Sequence, residues 1–264
     1  MTTSYKLLAF VAFIFASACA EPTIPVDRLT LPQGLKEVSG LAPAPEGGLY
    51  AIADEVGIVF HIDFDNADIK IADQFGEPAV KADFEGLAVH GGDLYALTST
   101  GKLYKKALNQ PPERTEHYAT GLKKQCEFEG LVSEFSADRL WLLCKEGLKK
   151  KRQKSLTLFA WDVANSRVDE AETISVPFKS IGIKGKLHPS AVDLDNQGFH
   201  VLAARQQALL RLDRAGSLIN LKKLPGGDQW HPQAEGLLVS GSTLYIADEG
   251  VSGKPTLSRY ADGF

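Results

Sequence analysis

The chain has 264 residues, 44% of them hydrophobic and 23% charged, which is enough to build a sizeable core and unlike a disordered polymer. Its net charge of −4 gives no basis for a nucleic-acid partner. Beyond the N-terminus no apolar tract reaches the ~18 residues of a membrane-spanning helix.

Residues 1–19 read as a targeting segment. Lys6 supplies the positive start, Leu7 to Phe15 is an unbroken apolar run, and Ala16, Ser17, Ala18 and Cys19 follow as small residues. This end resembles a bacterial lipobox, in which the cysteine is lipidated and becomes the mature N-terminus. It departs from one at Ala16, where leucine is usual. Two outcomes stay open: lipidation at Cys19, or plain cleavage after Ala18 or Ala20. Ala20, in place of an aspartate, implies the outer membrane by analogy with lipidated proteins. The expected location is therefore the cell envelope, facing the periplasm, with membrane contact only through the lipid. Residues 20–27 read as a short linker, and residues 28–264 as one domain.

That domain is an internal repeat. Five segments open in related ways: Glu37-Val38-Ser39-Gly40-Leu41, Asp83-Phe84-Glu85-Gly86-Leu87, Glu127-Phe128-Glu129-Gly130-Leu131, His188-Pro189-Ser190-Ala191-Val192 and Gln233-Ala234-Glu235-Gly236-Leu237. Each leads through a turn to a second strand, such as Leu94-Tyr95-Ala96-Leu97 or Leu244-Tyr245-Ile246-Ala247. Third strands follow at Ile58 to Asp63, Lys102 to Lys105, Ser155 to Trp161, Leu209 to Asp213 and Thr256 to Tyr260. The unit recurs about every 45 residues, the spacing of four-stranded propeller blades. Extra length around Gly147 to Lys154 and Lys179 to Leu187 reads as loop insertions. The last unit has only three strands, and Arg28 to Leu31 is left over to complete it. The predicted fold is an all-β, five-bladed β-propeller closed by its N-terminal strand. A pair of β-sandwiches fits less well, because no linker separates two halves.

Antiparallel pairing puts the start of each first strand beside the end of the second. The stations there should therefore converge on one channel mouth. They are Glu85, Glu129 and Glu235, with Ser39 and Ser190 in the equivalent places, and Asp54, Glu55, Lys145, Glu146, Arg205, Asp248 and Glu249 close behind. Crowded carboxylates must be protonated, paired or bound to a metal. All-oxygen donors suit a hard cation, Ca²⁺ ahead of Mg²⁺. The metal candidates are thus Glu85, Glu129, Glu235, Asp54, Glu55, Asp248 and Glu249. Ser39, Lys145, His188, Arg205 and His231 are the candidates for a ligand. Taken singly, each of these residues also fits a structural role in a turn or between blades. Lys149 to Arg152 and Lys154 form a basic run expected to be a solvated loop. Cys126 and Cys144 remain as an even pair in an oxidising compartment, as a disulfide or as two buried thiols.

Glu37 to Leu41, Asp83 to Leu87 with Leu94 to Leu97, and the Ala53-Asp54-Glu55 ending resemble the SdiA-regulated family of exported bacterial propellers, relatives of NHL-repeat proteins. The Asp-x-Glu-Gly-Leu signature is also similar to phytase-like esterase propellers. The resemblance runs from about Arg28 to the C-terminus. It implies a propeller, an envelope location and calcium in the channel, and no established reaction. His188 to Val192 departs from the acidic pattern, so the fourth blade is not expected to supply a metal ligand. Two functions compete. The first is a lipid-anchored, monomeric, calcium-binding propeller that takes a small anionic ligand or an envelope protein at its mouth. The second is a metal-dependent hydrolase of a phosphoester or lactone, with His188, His231 or Glu85 as general base. No Gly-x-Ser-x-Gly elbow or Cys-x-x-Cys pair is present.

Overall fold

The computed structural model describes residues 27–148, 154–251 and 253–261. The signal segment, Cys19 and the basic residues 149–152 lie outside them. Strand β1 (Asp27–Thr30) starts one residue before the expected domain boundary. Blade 1 holds β2 (Val38–Pro43), β3 (Leu49–Ala53), β4 (Ile58–Asp63) and β5 (Asp68–Gln74). Blade 2 holds β6 (Phe84–His90), β7 (Asp93–Thr98), β8 (Lys102–Ala107) and β9 (Glu116–Ala119). Blade 3 is β10 (Cys126–Glu134), β11 (Arg139–Gly147), β12 (Ser155–Asp162) and β13 (Arg167–Pro177). Blade 4 is β14 (Ala191–Leu194), β15 (Gly198–Ala203), β16 (Ala208–Asp213) and β17 (Leu218–Lys223). Blade 5 has β18 (Ala234–Ser240), β19 (Thr243–Asp248) and β20 (Thr256–Tyr260).

Each blade is an antiparallel meander, and β1 pairs with β20 as the fourth strand of blade 5. The chain is a five-bladed β-propeller closed by its N-terminus. Closure carries specific contacts. Leu31 N–H donates to Pro255 O at 2.8 Å. The Arg28 guanidinium covers Trp230 and donates to its carbonyl at 2.7 Å. The Arg259 guanidinium bonds Asp27 of β1 and Asp65 of blade 1. The insertion expected around Gly147 to Lys154 lies largely outside the described residues; the extra length expected around Lys179 to Leu187 follows β13 as a 3-10 turn, Phe178–Ile181, and a loop.

Inner strands β2, β6, β10, β14 and β18 adjoin one another in a ring. The inner and middle strands are buried on both faces, because each blade packs on two neighbours: Leu97 of blade 2 shares a core with Phe128 and Leu142 of blade 3. Outer strands such as β17 are mostly exposed. The glycine of the repeated Glu-Gly-Leu set has a steric cause. A Cβ on Gly86 would lie 2.5 Å from the Leu131 backbone nitrogen of the next blade, and one on Gly40 would lie 2.7 Å from that of Leu87. Inner strands approach this closely only where one of them lacks a side chain. Blade 4 uses Ala191 there and is the exception to the set.

Polar contacts also cross the blade boundaries. The ammonium of Lys106, whose side chain is 1% exposed, lies 2.8 Å from Asp73 of blade 1. His90 bridges to Ser133 and Asp138 of blade 3 at 2.9 and 2.8 Å. Arg214 of blade 4 bonds Glu134 of blade 3, and Asp193 of blade 4 accepts from Val239 N–H of blade 5 at 2.5 Å.

Gly86→Ala should destabilise the fold by about 1–3 kcal/mol through forced separation of blades 2 and 3. Gly253→Ala, where an added Cβ meets nothing within 4 Å, should be close to neutral. Denaturant unfolding of both variants checks this; equal effects would remove the steric account.

Candidate functional site: the channel mouth

In four blades the station residue sits in a β-bulge. Phe84 pairs with Thr98 and Gly86 with Leu97, so Glu85 between them has no partner in the ladder. Glu129 lies in the same way between Phe128 and Gly130, Glu235 between Ala234 and Gly236, and Ser39 between Val38 and Gly40. An unpaired extra residue bends the strand and re-aims its side chain. Blade 4 has no bulge there, and β14 pairs regularly from Ala191. Ser190 donates its hydroxyl to Ala234 O at 2.8 Å and accepts from Ala204 N–H, tying blade 4 to blade 5.

The structure brings Glu85, Glu129 and Glu235 into one electrostatic neighbourhood with Lys145. Lys145 Nζ contacts the Glu129 carboxylate and lies 3.8 Å from Glu127. Glu85 and Glu235 have no hydrogen bond or ion pair among the described residues. Burial, then repulsion by Glu129 and Asp83, pushes the Glu85 carboxyl far above the usual carboxylate range. Burial pushes Glu235 up to about 9, with Glu129 and Glu249 adding to it. Burial also raises Glu129, against the pull of Lys145. Glu249 is pushed up to about 7 by burial and by Asp54 and Glu37. Asp54 is raised to about 6 by burial and by Glu37, Glu55 and Asp83. Glu55 itself is exposed, in a groove with Asp54, Lys81 and Asp83.

Around the other half of the mouth lies a cleft of about 230 Å³ between blades 3, 4 and 5. Glu129, Glu235, Lys145, His188 and Arg205 are among the residues that line it. Arg205 is exposed. Burial and the neighbouring Arg205 charge lower the His188 pKa, so its imidazole is neutral near pH 7. The mouth thus carries carboxyl groups from blades 1, 2, 3 and 5, and its cationic groups, Lys145 and Arg205, come from blades 3 and 4.

Three expected members do not open on the mouth. His231 is fully buried, with Nδ1 2.8 Å from Asp248 Oδ2 and Nε2 2.6 Å from the Tyr260 hydroxyl. Asp248 is 1% exposed and spends that oxygen on His231. They form a pin inside blade 5: both ring nitrogens of His231 are taken, and the second Asp248 oxygen, Oδ1, is buried without a hydrogen-bond partner among the described residues. Ser39 is 5% exposed, with its hydroxyl turned into the protein. Three acids outside the expected set also act on the mouth carboxyls: Glu37, Asp83 and Glu127. Each opens its repeat two residues before the station, and period-two alternation marks them for the same side. Cys126 and Cys144 form a disulfide across β10 and β11, with their Cα atoms 5.7 Å apart.

Comparison with family models and with curated proteins finds no match. Solved structures share the architecture. A glutaminyl cyclase from Myxococcus xanthus has a TM-score of 0.61 at 15% identity, over 92% of this chain and 99% of that one. A luciferin-regenerating enzyme gives 0.57 at 11% identity, over 91% and 97%. A PQQ-bound aldose sugar dehydrogenase from Streptomyces coelicolor gives 0.55 at 13%, over 91% and 99%. These are all likenesses of fold.

The raised carboxyls set a pH dependence. The folded chain keeps the Glu235 proton up to about pH 9, whereas an unfolded glutamate releases it near 4.5. Stability from this group is therefore fully present below about pH 4.5 and is lost as pH rises towards 9. In metal-free buffer the melting temperature should fall between pH 6 and 9, and Glu235→Gln should flatten that fall. A wild-type curve unaltered by the substitution would contradict the assignment.

Proposed function

We propose that this propeller binds a divalent cation at its mouth, Ca²⁺ by donor chemistry, together with an anionic ligand held by Lys145 and Arg205. The observation that carries the reading is the pair Glu85 and Glu235: two carboxyls enclosed at the mouth with no counter-ion of their own. A hard cation supplies what they lack, and oxygen is the donor it prefers. Among the described residues no three Asp, Glu, His or Cys side chains stand close enough to share one ion. The ion would therefore rest on few protein oxygens, Glu85 and Glu235 foremost, with water filling its shell. That composition suits weak binding, on the order of 10⁻⁴–10⁻³ M. Glu129 is already committed to Lys145, and Asp248 to His231.

The mouth's cationic groups favour an anion beside the metal. Hydrolysis of a phosphoester or lactone is the second reading, and one observation favours it: His188 is neutral at the cleft edge and able to accept a proton. Buried His231 cannot take that part. The propeller neighbours include enzymes, which is compatible with either reading.

We further propose membership of the SdiA-regulated propellers and an envelope location through lipidated Cys19. The Cys126–Cys144 disulfide supports export to an oxidising compartment.

Calorimetric titration with Ca²⁺ in two buffers of different ionisation enthalpy should show proton release at pH 7.5, and affinity should rise with pH. Glu85→Gln or Glu235→Gln should weaken binding roughly tenfold or more. An absence of heat and of thermal shift across pH 7–9 would end the cation reading. For the anchor, metabolic labelling with a radioactive fatty acid should mark the wild-type chain and not Cys19→Ala. An unlabelled wild-type chain would mean simple secretion or retention.

A further inference from the structure

A second cleft, of about 310 Å³, lies between blades 4 and 5 and shares no lining residue with the mouth. Strand register builds its wall. His200 pairs with Arg211, and Arg211 with Asn220, so the three stand side by side on one face of blade 4. One step along the same face Leu209 pairs with Lys222. The β18–β19 turn of blade 5, with Thr243, closes the opposite side.

The polar groups of this cleft are donors with capacity to spare. Arg211 bonds Asp195 at 3.2 Å and Gln197 at 2.6 Å through Nη2. Its Nη1 has no hydrogen-bond partner among the described residues. The same holds for Lys222 Nζ, Asn220 Nδ2 and the Thr243 hydroxyl. The acid present is already saturated. Asp195 Oδ1 accepts from Gln197 and Gly198 N–H at 2.7 and 3.0 Å, and Oδ2 faces His200 and Arg211. An unspent guanidinium edge, an ammonium, an amide and a hydroxyl therefore line one concavity, with Leu209, Val239 and Leu244 as its apolar part. A guanidinium edge matches two oxygens of one anion.

We propose that this inter-blade cleft is an anion site, taking a small molecule with a carboxylate or phosphate head at Arg211 and Lys222 and a short apolar stem against the leucines. It is independent of the cation reading of the mouth. Its volume is at the small end of ligand sites, so the ligand is a compact one.

The test titrates butanoate, hexanoate and inorganic phosphate separately into the metal-free protein, followed by ¹H–¹⁵N chemical shifts at constant ionic strength. Saturable shifts are expected at Asn220, Thr243 and the Arg211 side chain. Lys222→Ala, a change at an exposed position, should weaken binding about tenfold, as should Arg211→Gln. Glu85→Gln should leave it unchanged, which separates this cleft from the mouth. Hexanoate binding without phosphate binding assigns an organic carboxylate; the reverse assigns a phosphate head. Lack of saturable binding by all three probes, or binding unaltered in Lys222→Ala with Arg211→Gln also unaltered and folded, would overturn the proposal.

Discussion

Around the channel, strands of neighbouring blades approach until backbone meets backbone. Gly86 faces the Leu131 nitrogen and Gly40 the Leu87 nitrogen at distances no side chain allows. This approach sets the radius of the ring, and much else follows from it. The blades can share apolar cores only if their inner strands are this near, and dispersion and burial both reward the contact. The bulge at the residue before each of these glycines turns that residue out of the ladder. In blades 2, 3 and 5 the bulge beside that glycine presents a glutamate at the mouth.

Electrostatics then makes the mouth unusual. Three glutamates arrive at one opening, and the nearby ammonium of Lys145 contacts Glu129 alone of the three. The remainder lower their energy by keeping protons, which costs less than ionising beside like charges in a poorly hydrated space. A protonated carboxyl at neutral pH is a group waiting for a cation or for a base, and both functional readings draw on that state. The asymmetry of the ring matters as well. Blade 4, with Ala191 and no bulge, offers Arg205 and His188 in place of an acid, and so gives the mouth a cationic side.

Charged pairs elsewhere serve the ring itself. Asp73 with Lys106, His90 with Asp138, Glu134 with Arg214, Asp193 with Val239 N–H, and Arg259 with Asp65 each join one blade to the next. Breaking the buried contacts among them, Lys106 with Asp73 and Asp193 with Val239 N–H, leaves an uncompensated polar group, so these two fix the relative placement of their blades, while the solvent-exposed pairs add little. The His231–Asp248–Tyr260 set does the same within blade 5. His231 and Asp248 look, in sequence, like site residues, because histidine and aspartate beside a repeated acidic station carry no mark of burial.

The sequence alone determined the number of blades, the order of strands and the closing of the ring by residues near Arg28. Period-two alternation, turn residues and a repeat of fixed length are local properties, and the third strands at Ile58–Asp63 and Thr256–Tyr260 fall where those properties put them. It also determined that Glu85, Glu129 and Glu235 share an end of the molecule, since antiparallel pairing decides that from chain direction. Packing in three dimensions sets the rest: each station glutamate is a bulge residue, Lys145 spends its charge on Glu129, His231 is interior and Cys126 meets Cys144. Those facts depend on which groups come within a few ångströms of one another across strands and blades. Distances of that kind arise from packing, and no local pattern in the chain encodes them.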